Sequence, residues 1–415
     1  GKIVHGSSSV AISGATYSAA DTMTLTATTV SGSSLPAAIS PPITFMPPDL
    51  TWDVNGTGPG VRDGGGAWIN ATNTWWNGAT NLNWADNFNA RIGAGGAGGT
   101  IALDAVTAKL VTFSNFSGTY TLTGGSLTVR SNLTVAKSAG TVVLAYTIGG
   151  PGGVTMDSPG SLHIYGLSPN TYSGGTVINR GTLIWGTMVN GISPECNVAL
   201  GTGPVTLNKG ATLRFERANP RNTLILNGGT LHSQNGWGVT WTGPVTVNAD
   251  TTLRADYRME FSGNISGPGG FVKTGSNTVT LSGANTFTGT NAVQAGTLSC
   301  SKAVSLGVGA LSIRNGAMVN LNYSGTRTIS ALTLGGTNMV PGVYGSTNSP
   351  ATYKDAHFRG TGTVTVKNVN EPPSSCVRTS PTNGQFVALP PTLTATAADR
   401  DNTLVMVSKP SDEQM

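Results

Sequence analysis

At 415 residues, 38% of them hydrophobic and only 10% charged, the chain lacks the high charge that keeps disordered proteins open. Its net charge of +5 comes from scattered Lys and Arg, which excludes the one-sided basic face of a nucleic-acid binder. No apolar run approaches the roughly 18 residues of a membrane-spanning helix.

Residues 1–48 read as short strands, with Met23-Thr24-Leu25-Thr26-Ala27-Thr28 alternating at period two, closed by a Pro-rich linker ending at Pro47-Pro48. Residues 49–100 carry Trp52, Trp68, Trp75, Trp76 and Trp84, five of the eight tryptophans. A segment of this kind fits the N-terminal cap of an elongated domain, because covering an open sheet end takes large apolar area. Residues 101–368 are a β-rich array punctuated by Gly and almost free of helical periodicity, and residues 338–368 fit a C-terminal cap. After Glu371-Pro372-Pro373 a new strand pattern begins, with Leu393-Thr394-Ala395-Thr396-Ala397 and, further on, Val405, within a terminal segment spanning 369–415. The chain starts at Gly1 with neither initiator Met nor signal peptide, as a processed form or a fragment of something longer would.

Inside the array the chain repeats itself. Gly150-Pro151-Gly152-Gly153 returns as Gly267-Pro268-Gly269-Gly270, and Asn170-Thr171-Tyr172-Ser173-Gly174 as Asn285-Thr286-Phe287-Thr288-Gly289. Gly181-Thr182-Leu183 returns as Gly296-Thr297-Leu298, and Leu200-Gly201 as Leu306-Gly307. The offset falls from 117 to 115 to 106 residues, which predicts insertions between persistent units. Such units stack, each burying its apolar face on its neighbours. A coil of ~22 residues over about 320 residues predicts on the order of 14 coils and a rod of roughly 65–70 Å.

The runs "NTYSGGTVINRGTL" (170–183) and "TVTLSGANTFTGTNAVQAGTL" (278–298) resemble the autotransporter-associated β-strand repeat. The Trp-rich stretch 64–84 resembles the head that often precedes such repeats, and 342–353 with 360–366 the segment that often follows them. The resemblance covers about residues 50–368 and implies an all-β protein built on a single-stranded, right-handed parallel β-helix, in a secreted or surface-exposed bacterial protein acting as stalk, adhesin or matrix component. It carries no catalytic set. Residues 15–45 and 380–407 resemble the last and first halves of a bacterial immunoglobulin-like β-sandwich domain. Either the chain is a stretch of a longer tandem protein, or neighbouring subunits complete each other's split domain head to tail and form a filament. In that case Thr24, Leu25, Thr26, Leu393, Thr394 and Val405 lie in the assembling segments.

The chemistry legible in the residues is sparse. Between Asn87 and Pro194 the only acids are Asp104 and Asp157, too few for the paired carboxyls of glycoside hydrolysis. The densest set is Asp250 with Arg254, Asp256, Arg258 and Glu260, the last four alternating with apolar residues as if on one strand face. It reads either as a tuned acid pair or as a solvated charge ladder. His5, His163, His232 and His357 are dispersed, and Cys196, Cys300 and Cys376 lack metal-ligand spacing. Asp399 and Asp401 fall short of a calcium site. No cofactor or metal is expected. Cys300 reads as a small wall or core residue, and turn asparagines as stacked ladders. Trp75 and Trp76 are either a sugar-stacking platform or buried cap aromatics. The expected function is a non-catalytic extracellular scaffold, stalk or filament subunit that self-associates. The alternatives are an adhesin for surface glycans and a polysaccharide-processing enzyme.

Overall fold

Alternating Thr, Ser and Asn with Val, Leu and Ile makes a strip that is apolar on one side and hydroxylated on the other. A computed structural model of the chain shows how the strips close and stack. It describes residues 49–55, 60–70, 72–165, 169–186 and 199–367, without the side chains of 216–218 and 235–237. It also gives the backbone of short strands at 22–23, 26–27, 38–39, 43–44, 375–380 and 394–398. Apart from the 3-10 turn Ala303–Ser305, the regular elements are strands, and they form a parallel β-solenoid of about 11 turns.

Each turn visits three walls. Wall 1 stacks Val154, Thr176, Val205, Leu224, Val245 and Ile265. Wall 2 stacks Tyr120, Val142, Leu162, Leu183, Leu213, Leu231, Leu253, Lys273, Val293, Ile313 and Leu334, one per turn. Wall 3 stacks Val239, Met259, Val279, Leu298, Val319 and Phe358. Apart from Thr176 and Lys273 these side chains are apolar, and all point inward and are buried, the burial worth roughly 1.5–3 kcal/mol for each Val, Leu, Ile, Phe or Met removed from water. Eleven turns at ~4.8 Å give a column of ~50 Å. The expected 14 coils are too many, because the even division also counted residues that close the two ends.

At the N-terminal end Asp49–Trp52 pairs in parallel with Phe88–Ile92 but antiparallel with Trp75–Trp76. Trp68, Trp75 and Trp84 pack within 4.7–4.9 Å of one another at 49–78°, and Trp52 meets Trp75 at 5.3 Å. The buried indole N–H groups of Trp68, Trp75 and Trp84 have no oxygen acceptor. The tilted and edge-on packing offers them ring faces instead. At the other end Thr326–Ile329, Thr363–Val366, Gly342–Gly345 and Tyr353–Lys354 form a separate four-stranded sheet.

The repeated residues are corner hardware. Asn170 accepts Ile148 N–H at 2.7 Å and donates to Ala199 O at 2.7 Å. Asn285 accepts Ile265 N–H at 2.9 Å and donates to Ser305 O at 2.6 Å. Each buried amide thus staples three consecutive turns. Two residues on, Tyr172 and Phe287 are fully buried, and Gly201 (φ +66°) and Gly307 (φ +45°) lie against those rings one turn later. A Cβ on Gly307 would stand 2.7 Å from the Phe287 ring. Gly307→Ala should therefore lower unfolding stability by about 1–3 kcal/mol. Thermal denaturation checks it, and Phe287→Leu should recover part of the loss.

The two copies do not face the same way. Residues 176–178 lie on wall 1 and 182–185 on wall 2, whereas 291–293 lie on wall 2 and 297–300 on wall 3. The second copy is rotated by one wall, about a third of a turn. The fall from 115 to 106 has one source: Leu200 lies 17 residues after Leu183, whereas Leu306 lies 8 after Leu298. The extra chain therefore sits within the first copy and not between the units.

Candidate functional site

The carboxylates among the described residues are mostly tied to the scaffold. Asp63 accepts Ala94 N–H (2.8 Å), Gly96 N–H (2.6 Å) and Tyr120 O–H (2.8 Å). Asp53 accepts Arg62 N–H at 3.0 Å and Asn81 Nδ2 at 3.0 Å. Asp157 pairs with Arg180 at 2.7 Å. No cluster of three His, Cys, Asp or Glu that could hold a metal occurs among the described residues.

The charged set at 250–260 does not share one face. Strand Thr251–Ala255 ends on wall 2, a corner follows at Asp256-Tyr257-Arg258, and Met259–Phe261 begins wall 3. Period-two alternation runs straight through a corner, so it cannot reveal one. Asp250 accepts Gly270 N–H at 2.8 Å, and Glu260 accepts Ser282 O–H at 3.0 Å on the neighbouring turn. Asp256 accepts His232 Nε2 at 2.8 Å and Arg254 at 2.9 Å. Burial pushes the Asp256 carboxyl up, but the hydrogen bonds and charges of His232 and Arg254 outweigh it and hold it below its usual range. His232 is outward-facing yet only 8% exposed under this pairing.

Sequence reasoning missed Lys273. It occupies an inward position between Leu253 and Val293 and is 1% exposed. Its ammonium donates to Thr274 O (2.8 Å), Gly275 O (2.9 Å) and Ala295 O (2.9 Å), so three donors meet three acceptors. Burial lowers its pKa to about 8, opposed by the Asp256 charge. The available signal was positional, since Lys273 shares the parity of Phe271 and Lys is rarely placed inward without a partner. Cys300 fills the wall 3 core between Leu281 and Leu321, and burial pushes its thiol up to about 12.

The stacked amides also sit elsewhere than expected. Asn208 donates to Asn179 (2.7 Å), Asn227 to Asn208 (2.8 Å) and Asn248 to Asn227 (2.8 Å), forming a ladder over four turns. Asn132 instead bonds Thr134 and Thr155, and Asn264 accepts Ala284 N–H. Of the sugar-platform pair, Trp75 is fully buried within the tryptophan cluster and Trp76 is half-buried. Trp75 thus has no face open to a ligand. Thr24, Leu25, Leu393 and Val405 lie outside the described residues. Thr26 and Thr394 appear only as backbone, in the antiparallel pairs 26–27 with 38–39 and 375–380 with 394–398.

These features define a parallel β-solenoid with a recurring corner unit. Residues 155–184 and 271–299 match the passenger-associated-transport-repeat, and the chain carries that repeat twice. Over 335 residues it is 29% identical to the adhesin BmaC autotransporter of Brucella suis biovar 1 (strain 1330), covering 75% of this chain and 9% of that protein. The chain thus spans less than a tenth of the length of that relative. No solved structure matches.

Proposed function

We propose that this chain is a rod segment of a bacterial surface protein, extracellular and non-catalytic, that projects adhesive or matrix-forming partners away from the cell. The observation that carries this is the unbroken inward column from Tyr120 to Leu334, which makes a stiff support. The likeness to an autotransporter adhesin supports the surface location and the adhesive setting. A further part of the reading is that the flanking immunoglobulin-like segments join copies end to end. The non-catalytic reading draws on the engagement of Asp256 by His232 and Arg254 and of Glu260 by Ser282. A hydrolase needs two carboxyls free to act on one bond.

Negative-stain imaging should show single rods, and end-to-end chains that are lost when residues 1–20 or 400–415 are trimmed. Incubation with polysaccharides should release no reducing ends. Reducing ends that disappear in Asp256→Asn or Glu260→Gln would overturn the non-catalytic reading.

A further inference from the structure

The corner between walls 2 and 3 concentrates, on a chain of low charge, an exposed ring, an exposed guanidinium and a tightly fixed backbone. Tyr257 is 44% exposed and stacks on no other ring among the described residues. The other ring of similar exposure, Tyr353, already lies on Tyr344 at 4.8 Å and 21°. Arg258 is exposed, and its guanidinium makes no ion pair or hydrogen bond among the described residues. The turn that presents them is pinned from the preceding coil. Ser233 O accepts both Asp256 N–H and Tyr257 N–H at 3.0 Å, and Arg258 O accepts Ser233 Oγ–H at 3.3 Å and Val239 N–H at 3.2 Å. Gly238 lies directly beneath, where an added Cβ would stand 2.5 Å from Arg258 Cγ.

We propose that the turn 256–258 binds the uronate residues of an acidic polysaccharide, with the Tyr257 ring stacking on a pyranose face and Arg258 pairing with the sugar carboxylate. An open ring face takes the C–H face of a sugar, and an adjacent planar cation selects a carboxylate over a neutral hydroxyl. Because the turn is already fixed, little ordering entropy opposes binding. Asp256 does not repel the ligand, since His232 and Arg254 hold its charge. A nucleic acid would need a run of cations along its backbone, and among the described residues the turn 256–258 and the strand entering it offer only Arg258 and the half-committed Arg254. The site rests on the proposed extracellular setting, which is tested separately by imaging.

The test is binding of the intact chain to immobilised polygalacturonate, with dextran as the neutral control, at physiological salt. Tyr257→Ala should weaken binding about fivefold and Arg258→Gln about tenfold or more. Tyr353→Ala and Arg314→Gln should leave it unchanged. Tyr257, Arg258 and Arg314 are exposed and make no ring stack among the described residues, so melting temperatures of their variants should match wild type, while Tyr353→Ala should lose only the modest stability of its stack on Tyr344. The proposal fails if polygalacturonate binds no better than dextran. It also fails if Tyr257→Ala binds as wild type while Arg258→Gln and Arg314→Gln lose affinity equally, which would be plain ion exchange.

Discussion

Replacing Lys273 with Ala should destabilise the solenoid by about 3–5 kcal/mol. The change leaves Thr274, Gly275 and Ala295 carbonyls without their donor and opens a cavity in the wall 2 column. Lys273→Met fills the space and restores no donor, so it should cost less, about 1–3 kcal/mol. The pH dependence has a defined sign. The folded-state pKa of about 8 lies below the ordinary lysine value of 10.5. Between those values the unfolded chain holds more protons than the folded one, so this group makes stability rise with pH. Below pH 8 both states are protonated and the contribution is flat. Urea unfolding of wild type and Lys273→Met from pH 7 to 10.5 should show the difference moving in favour of wild type as pH rises. A constant difference would mean that the ammonium is held with an unshifted pKa.

Asn285→Ala should cost about 2–5 kcal/mol, because it orphans Ile265 N–H on one turn and Ser305 O on the next. Asn170→Ala should behave alike, through Ile148 and Ala199. Asn285→Asp keeps an acceptor for Ile265 but sets a buried carboxylate against the Ser305 carbonyl, so it should be no better than Ala. Hydrogen exchange should show the loss of protection spreading over the three stapled turns. A loss confined to the 285–289 corner would contradict the staple.

The rotation of the two copies gives these corner residues their meaning. A motif that served a binding stripe would have to return to the same side of the rod. Here it returns one wall later, with the same hydrogen bonds to its neighbours in both places. The Asn-Thr-aromatic element therefore acts as a portable corner staple, and its recurrence records folding stability in preference to ligand contact.

The stacked all-β architecture, the passenger-type repeats and the core placement of Cys300 were legible in the sequence, because period-two alternation and Gly-marked corners are local signals. Three features were not. The wall on which each copy lies depends on the residue count summed over every preceding coil, and the extra residues between Leu183 and Leu200 were enough to hide it. The corner at 256–258 carries the same alternation as the strands beside it. Lys273 reads as an exposed residue by type and an inward one by parity, and only the three carbonyls gathered around it decide the matter. The candidate corner site suffered most from this. Asp256, Arg258 and Glu260 read as one strand face, either an acid pair or a solvated charge ladder, whereas the fold separates Glu260 from Asp256 and leaves Tyr257 and Arg258 exposed.

The central claim is that one coil adds one strand spacing along a single axis. Spin labels at Ser161, Thr252 and Thr333, outward positions of one wall 2 column, measure this directly by double electron–electron resonance. Eight coil steps separate Ser161 from Thr333 and four separate Thr252 from Thr333 in that register, so the backbone separations should be ~38 and ~19 Å. A twofold ratio, within label length, is the predicted result. Two similar distances, or a longer pair no farther apart than the shorter one, would contradict it.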